Sequence, residues 1–195
     1  MFKKFVPIIA ALAMLCFYSC KKDDKPSGAI TGNYKFVSIH AQTQSTAQYN
    51  DGTEDVKSVT ISDYTSENNT GTVSFNGNTA NTTGIGYDVT STAKSYDYYN
   101  NVLSDSSEFP FTVNIPPSNS TATYQIIGQD SIVFSNGALG AQTTVGASAS
   151  GGRFTIDGNI LTLKSNIVQD TTFNLGGLIV TDHEFAAATI TLQRQ

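Results

Sequence analysis

RFTIDGNILTLK, residues 153–164, decides the fold. Two short runs with alternating apolar residues flank Asp157-Gly158-Asn159. An Asp-Gly or Gly-Asn step between alternating runs is among the strongest short-range hairpin signals, because its residues accept the positive φ that a tight strand reversal needs. The stretch therefore predicts two antiparallel strands, Arg153 to Ile156 and Ile160 to Lys164.

Working outward, the same grammar recurs. Ala186, Ala188, Ile190 and Leu192 share one face of a final strand, with Thr189, Thr191 and Gln193 opposite. Thr123 to Ile127 and Ser131 to Ser135 form a hairpin around Gly128-Gln129-Asp130. Phe109, Phe111, Val113 and Ile115 make the cleanest two-residue period, and Pro110 points their strand toward an edge or a strand start. Pro116-Pro117-Ser118-Asn119 is expected to end it. Ile85, Tyr87 and Val89 share a face of a strand over residues 84–95. Tyr96, Tyr98 and Tyr99 follow in an Asp- and Asn-containing setting, and a loop is expected after them as far as Glu108.

Residues 56–75 read as a hairpin turning at Asn68-Asn69-Thr70-Gly71. In the first strand, residues 33–41, Tyr34 and Phe36 take one parity and Val37 and Ile39 the other, which predicts a bulge or burial on both faces. Residues 42–53 read as a polar loop with a turn at Asn50-Asp51-Gly52. Residues 172–181 read as a strand interrupted at Gly176-Gly177. The stretch from Asn136 to Gly152 holds little but Gly, Ala, Ser and Thr, and its second half, with three glycines between Gly146 and Gly152, is expected to be a mobile loop. No window of a dozen residues after the first 25 keeps a helical apolar period with caps. About eight to ten short strands joined by hairpin turns predict an all-β antiparallel up-and-down barrel of about eight strands, with a β-sandwich as the alternative.

The chain opens MFKKFVPIIAALAMLCFYSCKKDDK. Lys3 and Lys4 precede a roughly dozen-residue apolar run, too short to cross about 30 Å of hydrocarbon and of the length of a signal-peptide core. Ser19-Cys20 closes the run and resembles the cleavage box of bacterial lipoproteins, although Phe17 and Tyr18 depart from its usual residues. That resemblance implies residues 1–19 as signal, lipid on Cys20 and a membrane partner. Residues 20–31 are then a tether, and 32–195 a single domain. Lys21-Lys22-Asp23-Asp24 fits either a surface-export signal or a solvated spacer, so the chain faces either the periplasm or the cell exterior.

Removing residues 1–19 leaves nine basic against sixteen acidic residues, a net charge near −7. No basic run remains for a phosphate backbone, which argues against nucleic acid. The two cysteines are Cys16 and Cys20, so the mature domain has no pair left for a disulfide.

Gly32-Asn33-Tyr34-Lys35-Phe36-Val37, the Ile156–Leu163 hairpin and Ala188–Arg194 together resemble the lipocalin-like lipoproteins of Gram-negative bacteria. In that family a Gly-x-Trp on the first strand plugs the closed end of the barrel, often against a late arginine. Tyr34 stands at the tryptophan position here, and Arg194 is the corresponding arginine. The resemblance implies a lipocalin-like barrel and assigns little activity.

Candidate chemistry is sparse. Asp182-His183-Glu184 puts both acids on one strand face and the histidine on the other, so the three do not converge on a metal as a zinc site requires. No Gly-x-Ser-x-Gly elbow is present, and Ser148 and Ser150 sit in a Gly-rich loop. No catalytic residue, metal or cofactor is expected, and the chain does not read as an enzyme. Tyr87, Tyr96, Tyr98 and Tyr99 offer flat apolar area with a hydroxyl, suited to the rim of a binding site, with ordinary sheet packing as the alternative. Phe109, Phe111 and Val113 would line a cavity behind them. Two functions follow: a lipid-anchored module for a small apolar or carbohydrate ligand, or a non-enzymatic structural or adhesive surface protein with a filled core.

Overall fold

A computed structural model describes residues 30–135 and 151–195. Cys20, the signal segment and most of the proposed tether lie outside the described residues, as does most of the mobile loop expected between Gly146 and Gly152. The described chain is a single antiparallel sheet of nine strands, which sets aside the two-sheet sandwich. In order they are β1 (Gly32–Asn50), β2 (Asp55–Thr65), β3 (Glu67–Asn76), β4 (Thr79–Tyr99), β5 (Val102–Ile127), β6 (Ser131–Phe134), β7 (Gly151–Asp157), β8 (Ile160–Leu175) and β9 (Leu178–Arg194).

Successive strands from β3 to β9 pair with their neighbours, and β1 pairs with β9, so the sheet returns on itself as an up-and-down ring. On its other side β1 pairs with β3 near its start and with β2 along its second half. Both β2 and β3 also pair with β4. They therefore share one place in the ring, and nine strands fill the eight places expected.

This corrects the reading of residues 56–75 as a hairpin. β2 and β3 both run antiparallel to β1 and follow one another in the same direction. The chain jogs at Ser66 instead of reversing. Ser66 donates its N–H to the Ile39 carbonyl at 2.8 Å, and its Oγ accepts the Ile39 N–H at 2.8 Å. Its Oγ–H is donated to Asn69 Oδ1 at 2.6 Å. One buried serine thus supplies the ladder bonds that the break between strands would otherwise leave open.

Three further expectations change. The first strand runs to Asn50, not residue 41, because Gln42 to Tyr49 pair with both β2 and β9 and Asn50 pairs with β2. The stretch after Tyr99 as far as Glu108 is a two-residue turn leading directly into β5 rather than a loop. Asn100 and Asn101 hold φ of 49° and 64°, the paired positive values of a two-residue turn. Pro116-Pro117 does not end β5, which passes through a region of shifted register against β4 near Ile85. The parity switch in β1 is a bulge, visible as a register shift against β9 between Phe36 and Ser38. Gly176-Gly177 is the turn between β8 and β9, and Gly158, at φ 57°, turns β7 into β8 as its sequence requires.

Strand direction gives the ring two ends. The chain enters at Gly32 and leaves at Arg194 at what we term the lower end, with the β3–β4, β5–β6 and β7–β8 turns. Among the described residues, the β1–β2, β4–β5 and β8–β9 turns form the upper end.

The lower half is filled. Tyr34, Phe75 and Tyr124 stack edge to face, with centroids 5.8 and 5.4 Å apart, and Phe134 follows Tyr124 at 6.4 Å. Ile30, Ile132, Leu161 and Leu192 close around them with almost no exposure. Arg194 caps this end: its guanidinium lies 5.4 Å from the Tyr34 ring centre, and Nη2 donates to Tyr34 Oη at 2.8 Å. Tyr34 Oη donates in turn to the Ile30 carbonyl at 3.0 Å. Tyr34 and Arg194, at opposite ends of the described chain, therefore pack against each other at this end.

Candidate functional site

β6 and β7 are short, with four and seven residues, against 26 in β5 and 16 in β8. Above Tyr124 and Lys164, the facing edges of β5 and β8 have no partner strand among the described residues. Among the described residues the upper half is thus a curled sheet in the order β5-β4-β2-β1-β9-β8.

Its inward positions follow from strand parity with the core. They are mostly hydroxyls: Thr43 and Ser45 on β1, Ser58, Thr60 and Ser62 on β2, and Ser91 and Ser95 on β4. Thr43 Oγ1 and Ser62 Oγ are 2.6 Å apart, and Thr60 Oγ1 donates to Ser95 Oγ at 3.4 Å. Asp182 on β9 accepts a hydrogen bond from Ser45 Oγ at 3.1 Å. The interior changes from aromatic below to hydroxyl-lined above within one sheet.

The sequence-derived candidates do not form one cluster. Tyr87 is buried in the core beside Phe36, with ring centres 6.0 Å apart. Burial holds its phenol above the ordinary value, with a smaller push from Tyr64. Phe111 and Val113 pack on the core from above, and Phe111 meets Tyr64 edge to face at 6.1 Å. Phe109 continues their face upward and is 53% exposed. Tyr99 stands exposed at the β4–β5 tip.

Tyr96 and Tyr98 have the opposite parity from Tyr87 and lie on the outer face of β4. The Lys57 ammonium sits 4.6 Å from the Tyr98 ring centre. Tyr87, Phe111 and Val113 thus serve packing, whereas Phe109 and Tyr99 mark the open end. The alternating parity of a strand makes that separation unavoidable for Tyr87 and Tyr96, nine residues apart on one strand.

The polar triplet divides as its parity predicts. Asp182 meets Ser45 inside, and His183 Nδ1 meets Asp170 on the outer face of β8. Among the described residues no group of three metal-ligating side chains converges.

Two features had no strong sequence signal. The first is a set of exposed apolar side chains at two upper tips: Tyr99, Val102 and Leu103 on one, and Phe173, Leu175 and Ile179 on the other. The third tip is polar, and Asp51 organises it. Its carboxylate accepts from Thr53 Oγ1 at 2.6 Å and from the Thr53 and Glu54 N–H groups, which holds its pKa below the usual value. The second is an open trough of about 500 Å³ on the outer face of β9, β1, β2 and β4.

No family model matches the chain, and no curated protein matches it. A solved structure, the attachment invasion locus protein Ail of Yersinia pestis, is similar over 83% of this chain and 99% of that one, at 12% identity. Its TM-score of 0.17 is too low for the likeness to carry an argument.

Proposed function

We propose that the mature chain is a lipid-anchored protein of the bacterial envelope that acts by presenting its upper end to a partner, not by turning over a substrate. The observation that carries this reading is the polarity of the ring. The tether enters at Gly32 on the filled lower end, and the apolar tips lie at the opposite end of strands up to 26 residues long. At about 3.3 Å per residue, the 19 residues of β1 alone reach about 60 Å before tilt shortens them. Lipid on Cys20 would hold the lower end toward the membrane and turn the tips away from it.

Tyr99, Val102 and Leu103 face solvent on one hairpin, with Phe173, Leu175 and Ile179 on the other. Apolar groups gathered at an exposed edge favour contact with another surface. The aromatic packing of the lower half supports a structural role there in place of a ligand chamber. The Tyr34–Arg194 contact at that end supports the lipocalin-like reading of the chain's ancestry. A small ligand held in the upper half is the second reading, favoured by exposed Phe109 above a hydroxyl-lined wall.

The test has two arms. Cys20→Ser should move the protein from the membrane to the soluble fraction and remove the acyl mass from its amino-terminal peptide. Serine substitutions at Val102, Leu103, Phe173 and Leu175 should abolish partner capture by the envelope-displayed protein while leaving its melting temperature within a few degrees. A small molecule retained through native mass spectrometry, with capture unaffected by the tip changes, would reject tip-mediated presentation and favour the second reading.

A further inference from the structure

The outer-face trough is built from positions in register across four strands. Phe185 on β9 faces Gln44 on β1, Gln44 faces Ile61 on β2, and Ile61 faces Lys94 on β4. One step toward the lower end, Gln42 faces Asp63, and Thr92 lines the β4 side. Parity puts these seven side chains on the face opposite the core. At about 500 Å³ the trough falls in the size range of small-molecule sites.

Its chemistry excludes several ligand classes. Half-buried Phe185 and Ile61 supply an apolar floor. The rim carries two amides, a carboxylate, a hydroxyl and an ammonium. The charges are already matched. Lys94 Nζ is 3.1 Å from Glu108 Oε1, which holds its ammonium above the ordinary pKa. Asp63 accepts from Gln42 Nε2 at 2.8 Å and lies 3.6 Å from His40 Nδ1. An anion would meet Asp63 and a paired lysine, and a cation would meet Lys94. A purely apolar ligand would strip water from five polar groups without replacing their hydrogen bonds, which is costly. A neutral polyol with apolar faces meets all of these conditions, since its hydroxyls replace water at the rim and its C–H faces cover the floor.

The surface continues beyond the trough. Tyr96 follows Lys94 two residues up β4 with the same outward parity, and Tyr98 lies beyond it. From β9 to β4 spans three strand spacings, about 14 Å, which is longer than one sugar ring. We propose that this outer face binds a neutral oligosaccharide. Its sugar rings lie on Phe185 and Tyr96, and its hydroxyls are held by Gln42, Gln44 and Asp63. The site is independent of the apolar tips, and neither proposal requires the other.

The probes are maltohexaose, cellohexaose and mannohexaose, with a heparin hexasaccharide as the charged comparison. Each is titrated to about 10 mM, beyond the millimolar range of weak binding, into the ¹⁵N-labelled mature chain. At least one neutral hexasaccharide should shift the Gln42 and Gln44 side-chain amides and leave those of Asn50 and Asn174 unmoved. Phe185→Ala and Gln44→Ala should each weaken that binding by about tenfold or more, as expected for loss of 1.4 kcal/mol or more. Gln44 is exposed, so Gln44→Ala decides the test if Phe185→Ala fails to fold. The proposal is overturned if no neutral hexasaccharide shifts these amides, if heparin alone does, or if affinity is unchanged in Gln44→Ala.

Discussion

At the scale of single residues, the fold turns on Tyr34 and Ser66. Tyr34 is 1% exposed, and its hydroxyl both accepts from Arg194 and donates to the Ile30 carbonyl. Tyr34→Ala should cost about 3–5 kcal/mol, as for large aromatic-to-alanine changes. Tyr34→Phe keeps the ring and should cost only about 1–3 kcal/mol, because Arg194 and Ile30 lose a partner. Urea denaturation of both variants checks the order. Ser66→Ala removes the acceptor of the buried Ile39 N–H and should cost about 1–3 kcal/mol, read as a lower urea midpoint. An unchanged midpoint would show that water fills the position. Tyr34 was legible because its neighbours Gly32 and Asn33 and the distant Arg194 resemble a known pattern. Ser66 was not, since nothing local separates a serine that mends a broken ladder from one in a turn. The roles of Tyr87 and Tyr96 were half legible: alternation puts them on opposite faces, but only the closed ring says which face is inside.

At the scale of elements, short turns were read well and long-range pairing was not. Asp157-Gly158-Asn159 and Gly128-Gln129-Asp130 each reverse the chain where their residues predict. Asn68-Asn69-Thr70-Gly71 carries equally strong turn residues and does not reverse it. Its positive-φ positions, Asn68 at 51° and Gly71 at 95°, instead shape an irregular passage of β3 beside β4. There a Cβ on Gly71 would lie 2.5 Å from the backbone of Gly84. Gly71→Ala should therefore displace β3 from β4 as well as strain the backbone. Amide exchange should accelerate at Thr72 to Phe75 with little change in β8, and equal acceleration throughout would point to global destabilisation. Residues 42–50 and 102–108 read as loops because they are mostly polar. They are strands because both faces of the upper sheet meet solvent or hydroxyls, so alternation with apolar residues is not needed there.

At the scale of the whole molecule, the aromatic packing of the lower half sets its response to conditions. Burial raises the phenols of Tyr64, Tyr87 and Tyr124 above their ordinary 10.0. The folded state resists forming these phenolates, whereas the unfolded chain ionises at its normal value. The resulting stabilisation is complete below about pH 10 and is lost as pH rises through the elevated folded values. Melting temperature should be level between about pH 8 and 9.5 and fall above about pH 10. A steeper loss in wild type than in Tyr87→Phe checks the assignment, and identical slopes would remove Tyr87 from it. By itself, the sequence determined the all-β class, most of the hairpin turns, the two-face alternation of the strands and an opening segment that reads as a lipoprotein signal. Those depend on local φ preference and on two-residue alternation, which neighbouring residues carry. Only the tertiary structure decided that β2 and β3 share one place in the ring, that the lower half is filled, and that a trough lies outside it. Those depend on which distant strands meet, and register between β1, β9 and β4 is set by packing across the whole ring.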